Sequence, residues 1–144
     1  MARVAYLDSS ALVKLVLEEA ESAALRRYLA EEATRVVSSI LAAIEVPRAV
    51  RRAEAADFPV ADRRARRVVG ETVLLELTLE LAQEAATAGS TDLRSADAVH
   101  LVSAVSLGPQ LSAFIAYDGR LCAAAAAVGL PILSPSEAPD PLGP

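Results

Sequence analysis

An apolar run of strand length, Val4-Ala5-Tyr6-Leu7, stops at a carboxylate followed by two hydroxyls, Asp8-Ser9-Ser10. The plan recurs late in the chain, where Ala113-Phe114-Ile115-Ala116-Tyr117 runs into Asp118-Gly119. Short apolar runs without alternation read as strands buried on both faces, the kind found in parallel sheets covered by helices. The carboxyl end of a central parallel strand opens into the crevice where α/β proteins hold ligands, so Asp8 and Asp118 are expected to face one.

The rest of the chain keeps the alternation. Ser9 or Ser10 is expected to cap a helix beginning near Ala11, and Leu25, Tyr28 and Leu29 mark the packing face of a second helix from Ser22. Arg35 to Ser39 reads as a strand. Ile40 to about Glu54 reads as a helix with Ile40, Ile44 and Ala43 turned inward, Glu45 riding on it, and a kink at Pro47, which lacks the amide owed to the Ala43 carbonyl. Phe58-Pro59 marks a turn before a helix that stops at Gly70, and Val73 to Thr78 a short strand leading into a helix over 79–88. Asp92 is placed to cap a helix from Leu93 to about Leu107, with Asp97 near its positive end. Gly119 to Val128 is an Ala-rich helix, and Pro131 to Leu133 a last strand. The alternation specifies an α/β fold, a three-layer domain with a mostly parallel sheet. Residues 1–135 form the domain and 136–144 a loose Pro-rich tail.

Composition narrows the function. A length of 144 residues, 53% of them apolar, supports one core without staples. Aromatic residues are only 3% and tryptophan is absent, which argues against base stacking on an aromatic platform. Cys122 stands alone, excluding an internal disulfide or thiolate zinc site, and is expected to be a buried thiol. The N-terminus reads as neither a secretory signal nor a membrane span, so the expected compartment is cytoplasmic. The net charge of -5 opposes a general nucleic-acid coat, yet Arg48, Arg51 and Arg52 form one local basic cluster and Arg63, Arg64, Arg66 and Arg67 another.

Glu45 and Asp97 are the remaining candidates to join Asp8 and Asp118. Four carboxylates brought together repel unless protons or cations neutralise them. With oxygen donors only, hard Mg²⁺ or Mn²⁺ fits and structural Zn²⁺ does not; such a metal activates water and stabilises charge on a phosphoryl group. Glu45 has a competing role as the helical ion-pair partner of Arg48. His100, one turn after Asp97, is expected to be packed or hydrogen-bonded rather than a ligand. Arg48 and Arg52 share the face of Glu45, serving either a phosphate backbone or a solvated face balanced by Glu54 and Asp57.

Taken together, the segments Tyr6 to Lys14, Glu45-Val46 with Arg48-Ala49, Leu93 to Leu101 and Tyr117 to Leu121 resemble the PIN-domain nucleases, and among them the VapC toxins of bacterial toxin–antitoxin pairs. The resemblance spans about residues 4 to 135. It implies a Mg²⁺- or Mn²⁺-dependent ribonuclease that hydrolyses RNA with metal-activated water, forms homodimers and is held inactive by a small VapB-like antitoxin. It makes Asp8, Glu45, Asp97 and Asp118 the metal-binding acids and Ser9 or Ser10 a supporting hydroxyl; beside it, Arg48, Arg52 and Arg94 are read as contacts to RNA or partner. Two positions depart from the family pattern: Ala116 stands where Thr or Ser is common, and Pro47 follows Val46 directly. A non-toxin PIN nuclease of RNA processing carries the same acids, and a non-catalytic PIN-fold interaction module keeps the same fold. A haloacid-dehalogenase-type phosphatase is disfavoured by Ser10, where a second Asp is wanted; a phosphoacceptor receiver is disfavoured by the lack of adjacent N-terminal acids and a late lysine.

Overall fold

The computed structural model describes residues 3–32 and 34–137; the tail from residue 138 lies outside them. Five strands, β1 (Arg3–Leu7), β2 (Thr34–Ser39), β3 (Val73–Leu75), β4 (Leu111–Ile115) and β5 (Ile132–Leu133), form one sheet in the order β3-β2-β1-β4-β5. Every pairing is parallel. The order reverses beside β1, between chain-neighbour β2 and late β4, and at such a point helices diverge and leave a crevice. Asp8 and Asp118 follow the two strands that flank it.

The helices are α1 (Ser9–Val13), α2 (Ser22–Glu31), α3 (Ala42–Arg52), α4 (Phe58–Glu71), α5 (Leu79–Ala85), α6 (Ser95–Val105) and α7 (Gly119–Ala127). One face of the sheet, through Ala5, Leu7, Ala113 and Ile115, packs on α1 to α4. The other, through Tyr6, Val37 and Phe114, packs on α6 and α7. This is the expected three-layer arrangement. No helix among the described residues is long and apolar enough to cross a membrane.

Several local expectations are corrected. Asp8 itself, not Ser9 or Ser10, caps α1, accepting the Ala11 amide, because its extended backbone at the strand exit points the carboxylate back at the first turn. Arg94 occupies the cap position of α6, and Asp92 instead accepts from Ser90 in the preceding loop. Phe58-Pro59 opens α4 rather than a turn, with Asp57 as cap, since proline tolerates the first helical turn; Gly70 lies inside that helix. Strand β4 ends at Ile115, so Asp118 stands beyond a short linker.

The inward face of α3 also differs from expectation. Ala42, Val46 and Val50 are buried, whereas Ile40 and Ile44 are 41% and 61% exposed. Ile44 sits about 200° around the helix from Val46, at 3.6 residues per turn. Small side chains face inward because α3 packs on α1 and α4 through Ala11, Ala61 and Ala65, a close approach that an isoleucine pair would block. The helix runs on through Pro47 to Arg52.

Candidate active site

The crevice at the carboxyl edge of the sheet is an open cavity of about 620 Å³, and all four candidate acids, Asp8, Glu45, Asp97 and Asp118, line it. Each arrives by a different local device. Asp8 ends β1 and is 4% exposed. Its Oδ1 accepts the Ala11 amide at 3.0 Å, and the Ser10 hydroxyl donates at 3.0 and 2.8 Å to its two oxygens. Burial pushes the Asp8 carboxyl above its ordinary value; the Ala11 amide, the charge of His100 and Ser10 counter this in part, while the negative charge of Asp97 adds to it. No salt bridge reaches Asp8 among the described residues, so this buried acid has no cation paired with it.

Asp97 lies in the first turn of α6, buried to 8% exposure, with Arg94 Nε 3.0 Å from its Oδ2. Asp118 caps α7, its Oδ1 accepting the Leu121 amide at 3.0 Å. Glu45, in the first turn of α3, is half-buried. Its Oε1 takes hydrogen bonds from Ser9 Oγ and His100 Nε2, both at 2.8 Å. Burial raises the Glu45 carboxyl, but the hydrogen bonds from His100 and Ser9 and the nearby charges of His100 and Arg94 outweigh it and hold the carboxyl below its ordinary value.

These engagements spread the acids along the cavity wall. Among the described residues no three or more His, Cys, Asp or Glu side chains stand close enough together to enclose a metal ion. The two expected hydroxyls divide their roles, Ser9 serving Glu45 and Ser10 serving Asp8. Arg52 and Arg94 line the cavity, but Arg48 does not. Arg48 instead forms a separate depression with Arg51 and Arg52, so Arg52 belongs to both. Ala116 is fully buried, and its carbonyl accepts from Ser134 Oγ at 2.6 Å and Cys122 Sγ at 3.4 Å. Cys122 is half-buried rather than buried, and its thiol is pushed up by burial.

His100 is hydrogen-bonded at both ring nitrogens and 2% exposed, as expected of a packed histidine, but one of its partners is a cavity acid. Lys14 and Tyr117 line the cavity too. Lys14 Nζ lies 2.7 Å from Glu21 Oε2 and 4.8 Å from the centre of the Tyr117 ring. Burial, with the negative charges of Glu21 and Asp8, pushes the Tyr117 phenol up to about 12. The signal for Lys14 was its spacing: it follows Ser10 by four residues, one helical turn.

A family model described as PIN domain matches residues 5–127. Ribonuclease VapC46 of Mycobacterium tuberculosis (strain ATCC 25618 / H37Rv) is 41% identical over 132 residues, which cover 91% of this chain and 97% of that protein. Ribonuclease VapC47 of Mycobacterium tuberculosis (strain CDC 1551 / Oshkosh) is 35% identical over 133 residues, covering 90% and 96%. Among solved structures, Mycobacterium tuberculosis VapC20, described as a Sarcin-Ricin loop cleaving toxin, superposes with a TM-score of 0.69 at 19% identity, over 91% of this chain and 99% of that one. A protein from Pyrobaculum aerophilum superposes with a TM-score of 0.62 at 23% identity, over 92% and 84%. These two structures are alike in fold.

Proposed function

The chain belongs to the PIN-domain family, and on that premise we propose that it is a Mg²⁺- or Mn²⁺-dependent endoribonuclease, the toxin of a toxin–antitoxin pair. The observation that carries the reading is Asp8: a buried carboxylate with no cationic partner among the described residues, in a cavity lined by three further acids. The names of the relatives, ribonucleases of closely similar length, support RNA as substrate.

The donor set fits a hard divalent cation. The negative charge of Asp97 bears on Asp8, and Glu45 Oε2 accepts no hydrogen bond from the described residues. The spread of the acids fits Mg²⁺, which is often held by one or two carboxylates and keeps several waters. When bound, such an ion lowers the pKa of water and stabilises charge on the phosphoryl oxygens. Asp8 and Asp97 would hold it, with Asp118 and the free oxygen of Glu45 turned to its waters. Ser10 holds the Asp8 carboxylate, Ser9 and His100 that of Glu45. Arg52 and Arg94 serve the phosphate backbone of RNA or a partner's acids.

The cell compartment we assign is the cytoplasm, and the partner a small VapB-like antitoxin that inhibits by presenting an Arg or Lys to the acids. A homodimer is supported by two neighbouring exposed isoleucines, Ile40 in the turn before α3 and Ile44 on that helix. The test is cleavage of RNA by purified protein in Mg²⁺ against excess EDTA, with Asp8→Asn and Asp97→Asn as controls. Cleavage should need the ion, and both folded variants should be inactive. Undiminished cleavage in EDTA rejects the metal mechanism; a folded wild-type protein inert on RNA in Mg²⁺ favours a binding module.

A further inference from the structure

Three buried side chains from three different elements meet behind Glu45. Tyr6 of β1 places its hydroxyl 2.7 Å from His100 Nδ1, and His100 of α6 places Nε2 2.8 Å from Glu45 Oε1 of α3. Ser9 of α1 lies 2.8 Å from the same Oε1 and 3.2 Å from the same Nε2. An ionised carboxylate oxygen only accepts, so Nε2 carries a proton directed at Glu45. Burial holds the Tyr6 phenol far above its ordinary value, so it stays a neutral hydroxyl able to close the far end of the chain on Nδ1. The Tyr6 ring itself is stacked on Phe114 at 5.7 Å and is fully buried, which fixes that end in the core.

From this geometry we propose that His100 is the positioning residue for Glu45: with Tyr6 behind it and Ser9 beside it, it occupies Oε1 and leaves Oε2 alone to face the cation. The inference rests on the metal-dependent reading above. His100 does not touch the cation; it removes one of the two carboxylate oxygens from competition and fixes the rotation of the other. A flexible glutamate would otherwise choose among several rotamers, and partners of this kind, one shell behind a metal ligand, typically change metal affinity by about tenfold to a hundredfold.

The experiment reads Mn²⁺ affinity by titration calorimetry, independent of any activity, on variants shown by circular dichroism to be folded. A glutamine amide nitrogen overlies Nε2, and an asparagine amide nitrogen overlies Nδ1. His100→Gln should therefore bind Mn²⁺ within a few-fold of wild type, whereas His100→Asn should weaken it by about tenfold or more. In a Glu45→Ala background, His100→Asn should cost nothing further, because there is no carboxylate left to hold. Tyr6→Phe keeps the stacked ring and removes only the hydroxyl, which serves if His100→Asn does not fold; it should weaken binding in the same direction by less. Wild-type affinity in both His100→Asn and Tyr6→Phe overturns the proposal. So does an equal loss in the Glu45→Ala background, or rescue by Asn rather than Gln. A wild-type protein that binds no Mn²⁺ fails the metal reading itself, a different result from variants indistinguishable from a wild type that does bind.

Discussion

Arg94 Nε stands 3.0 Å from Asp97 Oδ2, so one of the cavity's two buried acids carries an internal cation while the other, Asp8, has none among the described residues. The hydrogen bond and charge of Asp97, with the charges of Asp118 and Glu45, hold the Arg94 guanidinium above its ordinary value. Its side chain is 73% exposed, which keeps the pairing weak and exchangeable. On the metal-dependent reading, a divalent cation entering the cavity would compete with Arg94 for Asp97. Arg94→Gln should tighten Mn²⁺ binding a few-fold, the change that an exposed ion pair of about 0.2–1 kcal/mol produces. Calorimetric titration checks this; weaker binding would mean that Arg94 supports the site rather than competing for it.

Asp8 should make stability depend on pH in a direction opposite to most acids. Its folded-state carboxyl is raised, so the folded protein holds the proton more tightly and loses stability as pH rises from the ordinary Asp range through that raised value. Asp8→Asn keeps an acceptor for the Ala11 amide and removes the charge. In EDTA at neutral pH its Tm should rise by roughly 3 °C, as about 1 kcal/mol gives in a chain of this size. The gain should vanish below the ordinary Asp range, where the wild-type side chain is protonated in both states. Thermal melts at a series of pH values decide it; a gain that persists in acid would trace to packing instead.

Glu45 has the reverse sign. Its carboxyl is held low, so the stability it contributes is present above the ordinary Glu value and is lost as pH falls through the lowered one. Glu45→Gln should therefore destabilise near neutrality and converge with wild type in acid. The same melts read it, and parallel curves for the two proteins would remove the hydrogen-bond account of Glu45.

Arg52 joins the acidic cavity to the Arg48 and Arg51 depression. A strand of RNA crossing from one to the other would meet it with a phosphate. Arg52→Ala should raise KM with little change in kcat and lessen the dependence of log KM on log salt by about one phosphate contact. A loss confined to kcat would place Arg52 at the reacting phosphate.

The products report on the nucleophile. Ribonucleases that use the RNA 2′-hydroxyl need a general acid and base and leave cyclic or 3′-phosphates. His100 is sealed between Tyr6, Ser9 and Glu45 at 2% exposure, so no histidine is free for that work. Fragments should carry 5′-phosphate and 3′-hydroxyl ends, and a 2′-deoxy sugar at the cut site should still be cleaved. Cyclic phosphate made by wild type and absent with Asp8→Asn would overturn the hydrolytic route.

The sequence by itself determined what local chemistry controls. Apolar runs of strand length, the turn residues between them and the helical spacing of the rest specify an alternating α/β chain, and the carboxylates after β1 and β4 are visible because polar residues rarely end buried strands without reason. Tertiary structure decided what depends on the partner across the gap. Which stripe of α3 faces inward followed from close packing on α1 and α4, so Val46 went in and the larger Ile44 stayed out. Lys14 meets Glu21 and Tyr117 at the cavity wall only in the folded chain. His100 and Glu45 are 55 residues apart, and only the packing of α6 and α3 at the same end of the sheet turns a lone histidine into the hydrogen-bond donor that orients an acid. Side-chain spacing along one element is a property of the backbone period, whereas the meeting of two elements depends on volumes and crossing geometry that no single stretch of sequence contains.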